Sequence, residues 1–245
     1  MPSLAKIYIA LIASVATATL AAAAYQWKPE NLGRFVLFFA LAMVASAMKI
    51  RLPGLKTTIS ASFVFILIGI ALFSFGETVL IGLGGALVQS LWRSLQRPKP
   101  VQVFFNGACL TVCTAAAFWA AHVVPALVAS TSAAAMMAVG ASVYVLLNTS
   151  LVSLVVALAE RYPLRQVWPS CYEWTFPYFL VGAGVAGLAS AAGHGNNWQM
   201  TLLVAPVMYF VYVYYRMHIM RAVLENVSNA SRENEAALAG ASQGR

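Results

Sequence analysis

Apolar residues in this chain gather in eight long runs divided by short polar connections. The runs cover 4–25, 32–48, 58–75, 78–92, 101–124, 133–158, 171–192 and 198–221. Each predicts a membrane helix, because lipid gives backbone N–H and C=O groups no partner outside the segment. Crossing a bilayer takes roughly 20 residues. The second and fourth runs are shorter, so eight spans is the expected count, with six and seven left open. The first run is Ala-rich behind Lys6, like a signal peptide. It reads as a retained helix, since no clear cleavage site precedes a soluble domain.

The connections carry a second pattern. Lys49, Arg51 and Lys56 fill one, Arg93, Arg97 and Lys99 the next but one, and Arg161 and Arg165 another; the last run ends in Arg216 and Arg221. The connections between these, around Glu77, at 124–132 and at 194–197, hold no Lys or Arg. Only the first, with Lys28, Glu30 and Arg34, is mixed. Basic loops stay on the cytoplasmic side, so both termini are expected there, which requires an even number of spans.

Composition agrees. The chain is 61% hydrophobic and 9% charged, where soluble domains carry about 25% charged residues. A soluble core could not hide this much apolar surface, and the bilayer must be the solvent. The net charge of +8 would suggest nucleic acid in a soluble protein. Here it sits in loops and sets orientation, so no nucleic-acid partner is expected. The expected fold is all-α: a polytopic transmembrane helical bundle over 1–221 in the inner (plasma) membrane. A cytoplasmic helical stalk and disordered tail follow over 222–245.

Glu77 is the one acid between two long uncharged runs. The fourth run has only about 15 residues, or some 23 Å of helix against a roughly 30 Å core. Two readings of Glu77 follow. In one, a sunken hairpin tip places the carboxylate in an outward recess near Trp119 or His122, where it binds a ligand. In the other, a hydrated tip lets Glu77 cap the following helix. The IGLGGA segment at 81–86 predicts close helix contact just below.

Other candidates are weaker. Trp27, Trp119, His122, His194 and Trp198 fall at outer helix ends, where aromatic residues anchor at the interface. Glu77, His122 and His194 lie on separate segments, and no spacing supports a metal site. Gln89, Asn106 and Asn148, with Ser60 and Ser62, sit inside apolar runs. A buried amide needs a partner, so these residues either tie helices together or line a binding cavity. Gly182, Gly184 and Gly187 form a G-x-G-x-x-G pattern within a membrane helix and read as packing positions, because no strand precedes them. Cys109 and Cys113 share a helix face and read as small packing residues. Ser170–Glu173 reads as a capping box opening the seventh helix, with a kink expected at Pro177. No nucleophile, base and orienting group form a set, so an enzyme is not expected.

Beyond Tyr215 the chain turns polar. Met220, Val223, Val227, Ala230, Asn234 and Ala237 keep a 3-4 spacing, a weak heptad that predicts a stalk able to pair with a second copy.

The stretch RLPGLKTTISASFVFILIGIALFSFGETVLIGLGGALVQSLWR, followed by RPKPVQVFFN, resembles the multi-helix membrane domain that precedes HD-GYP or GGDEF output domains in bacterial signalling proteins. The likeness covers roughly 34–221. It rests on the Leu-Pro turn, the apolar hairpin around Gly76 and Glu77, and the basic proline linker. More distantly, the hairpin is similar to the substrate-binding S components of energy-coupling-factor vitamin transporters. The resemblance implies a ligand-sensing or ligand-binding module with a small-molecule ligand and a cytoplasmic signalling partner. The alternative it implies is a transport component with an ATPase partner. No HD or GGDEF domain follows Arg245 in this sequence, as expected of a standalone relative, a truncated gene or a fragment.

Overall fold

The computed structural model describes residues 2–28, 31–51, 58–92, 98–127, 133–161, 163–192, 199, 202–218, 220, 221, 224 and 228. The helices are α1 (Ser3–Tyr25), α2 (Leu32–Ala47), α3 (Ser62–Leu72), α4 (Phe75–Leu91), α5 (Pro100–Leu127), α6 (Ala133–Glu160) and α7 (Leu164–Ala192). A further helix, α8, covers 204–218. Among the described residues, α1, α5 and α6 are long and apolar enough to cross a membrane.

One short two-stranded hairpin interrupts the otherwise helical pattern, with one strand in the basic connection and the other at the start of the third apolar run. Its first residues are extended, not helical. β1 (Lys49–Arg51) and β2 (Thr58–Ser60) form an antiparallel hairpin, with Lys49 opposite Ser60 and Arg51 opposite Thr58. β-branched Thr58 and Ile59 suit a strand. The helical remainder, α3, has 11 residues, about 16 Å of rise at 1.5 Å each. α5 has 28 residues, about 42 Å on the same measure.

α3 is the centre of the molecule. Every residue from Ser62 to Ile70 is buried, and α2, α4, α5, α6 and α7 all pack against it. Phe63 meets the rings of Tyr144 and Phe179. α3 and α4 form a tight antiparallel helical hairpin. Gly69 faces Thr78 near the tip, and Gly85 faces Ser62 at the base. The chain reverses at Phe73 and Ser74, where Phe73 is extended with φ −126° and ψ 164°.

The glycines of 81–86 make the close contacts their sequence predicts. A Cβ on Gly82 would clash with Thr114 Oγ1, and one on Gly84 would stand 2.9 Å from Phe39 and Met43. The glycines of α7 divide differently. A Cβ on Gly182 would pack on Phe63 and Val64, whereas one on Gly184 or Gly187 would meet nothing within 4 Å among the described residues, so the described contacts bear out the packing reading at Gly182. α7 also begins at Leu164, six residues ahead of Ser170. Ser170 and Glu173 therefore lie within the helix, and the expected capping box does not open it. Of the stalk's core positions, Val223, Val227, Ala230, Asn234 and Ala237 lie outside the described residues.

Candidate functional site

The break between α3 and α4 holds the most distinctive polar group. Ser74 is the N-cap of α4, and Glu77 occupies the third helical position. The Ser74 N–H and hydroxyl both donate to Glu77 Oε2, at 2.9 and 2.8 Å. The Glu77 N–H returns a long bond of 3.4 Å to Ser74 Oγ. This is a capping box, which satisfies two of the orphan N–H donors of a helix start. The hydrated-tip reading fails on burial: Glu77 is only 2% exposed. Its second oxygen, Oε1, is buried and has no partner among the described residues.

The cap explains one carboxylate oxygen and leaves the other. A buried acceptor without a donor carries a desolvation penalty of about 1–3 kcal/mol, more for a charged group. A buried polar atom left open in this way calls for an explanation, and an ionisable residue within a membrane bundle is a place to look for function.

The other outer candidates sit on a different face. Phe75 precedes Glu77 by two helix positions, a rotation of about 200°. Trp119 lies 5.5 Å from the Phe75 ring, and Phe118 lies 5.4 Å from it. His122 stacks on Phe118 at 4.3 Å, and its Nδ1 is 2.8 Å from the Phe118 carbonyl oxygen. Trp119 is 49% exposed and borders an open apolar groove between α1 and α5, lined by Val15, Ala18, Thr19 and Ala22. The described contacts of Trp119 and His122 join them to Phe75 and Phe118, not to Glu77.

The deeper amides form an inner network at the base of the hairpin. Ser60 Oγ donates to Gln89 Oε1 at 3.0 Å and shares a 2.8 Å bond with Ser62 Oγ. Lys49 Nζ donates to the Gln89 carbonyl oxygen at 2.8 Å, a cation suited to the C-terminal end of α4. Asn106 Nδ2 donates to Ser90 Oγ at 3.1 Å. Asn148 stands apart, with Cys109 Sγ 4.0 Å from its Oδ1. Gln89 and Asn106 therefore fasten β2 and α5 to α4, which is the helix-tying role.

Two participants escaped sequence reasoning. Ser74 carries the same S-x-x-E signature that was read at Ser170, and it lies at the true helix start. Arg34, in the first turn of α2, places its guanidinium 5.2 Å over the Phe73 ring. Its Nε is buried without a partner among the described residues. The available signal was a cation two residues inside an apolar run.

The fold and this site define a helical membrane bundle organised around a buried, interrupted helix pair. No protein-family model, curated protein or solved structure matches the chain.

Proposed function

We propose that the chain is a multi-pass inner-membrane module that binds a small cationic or hydrogen-bond-donating ligand at the α3–α4 break. It reports the bound state to a cytoplasmic partner through its C-terminal helix. The observation that carries this reading is Glu77 Oε1, buried and unpartnered at a helix break. In this reading the chain crosses the membrane eight times with both ends cytoplasmic, supported by the alternation of basic and neutral connections. Reporter fusions after Lys99 and after Gly195 should then report opposite sides; the same side for both rejects the topology.

The binding test is ligand-induced thermal stabilisation, with ammonium, guanidinium and n-alkylamines as probes. Glu77→Gln keeps the cap acceptor and removes the charge. It should abolish the stabilisation, because a hydrogen bond to a charged group contributes about 1.5–3 kcal/mol. Equal stabilisation of both proteins would place the ligand elsewhere.

The buried carboxylate also suits a second reading, a transport component, because intramembrane acids line substrate and ion pathways. Uptake of the same probe into proteoliposomes, abolished by Glu77→Gln, separates transport from sensing.

A further inference from the structure

Glu77 Oε1 is not the only buried polar atom left open at this break. Arg34 Nε is buried and unpartnered as well. The two lie at one level on facing helices. α2 and α4 run parallel: Phe73, just before α4, touches Phe35 and Phe38, while Gly84 and Gly85 further along α4 meet Phe39, Met43 and Ser46. Glu77 lies between these contacts and is therefore level with the first turns of α2, where Arg34 sits. Residues 77 and 84 are two helical turns apart and share a face. Since Gly84 touches Phe39 and Met43, that face turns towards α2.

The walls are aromatic. Phe73 carries the Arg34 guanidinium on its ring, and the next residue, Ser74, binds Glu77. Trp27 closes the outer side, edge-on to Phe35 at 5.7 Å and against Gly76. No ion pair joins Arg34 to Glu77 among the described contacts. A guanidinium donor and a carboxylate acceptor thus remain open at one depth, with rings between and around them.

We infer that the ligand of this site carries both charges: a small zwitterion of the amino-acid class, whose ammonium meets Glu77 and whose carboxylate meets Arg34. The inference rests on the binding reading given above and adds the second pole. A bare amine would satisfy Glu77 and leave Arg34 open; a bare carboxylate would do the reverse and meet repulsion from Glu77. The zwitterion pairs both and brings no net charge into the bundle, which satisfies a buried carboxylate and a half-buried guanidinium together.

The test uses the full chain in lipid nanodiscs. The probes are ω-amino acids from glycine to 6-aminohexanoate, with the n-alkylamine and n-alkanoate of each length. At least one amino acid should bind about tenfold more tightly than both of its single-charge counterparts, as one added charged hydrogen bond implies. Arg34→Gln should lower its affinity to that of the amine and leave amine binding unchanged, while Glu77→Gln lowers both. Should Arg34→Gln not fold, Arg34→Lys keeps the charge, removes Nε and the planar fork, and should weaken the amino acid selectively. Unchanged amino-acid affinity in the Arg34 variants, with loss in Glu77→Gln, overturns the second pole and leaves the single-pole site standing. Unchanged affinity in Glu77→Gln overturns the binding reading itself. No binding of any probe overturns both.

Discussion

Replacing Gly82 with valine should destabilise the protein by about 2–3 kcal/mol, near the upper end for overpacking a tight contact. The warrant is the approach of α4 to α5. A Cβ at position 82 would clash with Thr114 Oγ1 and stand 3.2 Å from its Cβ. Thr114 is fully buried and β-branched, so its stiff χ1 leaves little room to swing aside. In lipid there is little hydrophobic gain to offset the clash, since helices associate through close packing. Thr114→Ala removes the obstructing oxygen and should itself change stability little, because that hydroxyl has no partner. The double variant Gly82→Ala, Thr114→Ala should therefore recover more than half of the loss seen in Gly82→Ala alone. Unfolding in mixed micelles, read as a double-mutant cycle, gives the coupling. Additive effects would mean that the two helices do not meet through this pair.

The second large effect falls on Glu77. Glu77→Ala removes the acceptor of both Ser74 donors and should lower stability by about 2 kcal/mol, combining a lost cap with an unsatisfied buried N–H. Ser74→Ala keeps the backbone N–H bond to Glu77 and loses the hydroxyl, so it should lower stability by about 1 kcal/mol. Glu77→Gln retains a carbonyl oxygen for both donors and should stay within about 1 kcal/mol of the parent. Circular dichroism melts of the three variants check the order. A Glu77→Gln loss as large as that of Glu77→Ala would mean that the charge, not the cap, sustains the hairpin tip.

Much of the bundle was legible from hydropathy. The runs at 4–25 and 133–158 match α1 (Ser3–Tyr25) and α6 (Ala133–Glu160) within a few residues. Lipid leaves a long apolar segment no alternative to helix, so pattern and structure coincide there. The third run shows the limit. Ser62–Leu72 and the Thr58–Ser60 strand before it share one uncharged run, and periodicity over so short a stretch does not separate strand from helix. The β-branched Thr58 and Ile59 were the local sign of the change. For Glu77, sequence offered burial or capping as rivals, and the structure contains both, because one carboxylate has two oxygens. Arg34 was passed over as a loop charge. Its relation to Glu77 depends on the parallel packing of α2 and α4, which no local pattern encodes. The groupings of Trp119 with Phe75, and of Gln89 with Ser60, likewise come from tertiary contacts.

The central claim is that Glu77 Oε1 is the ligand's acceptor. Ligand-induced infrared difference spectroscopy tests it most directly, with the tightest-binding amine or amino acid as the probe. The parent protein should show a carboxyl band that shifts on binding, as an unpartnered oxygen gains a donor, and Glu77→Gln should lack it. A Glu77→Gln protein that binds the same probe and gives the same difference spectrum would contradict the account.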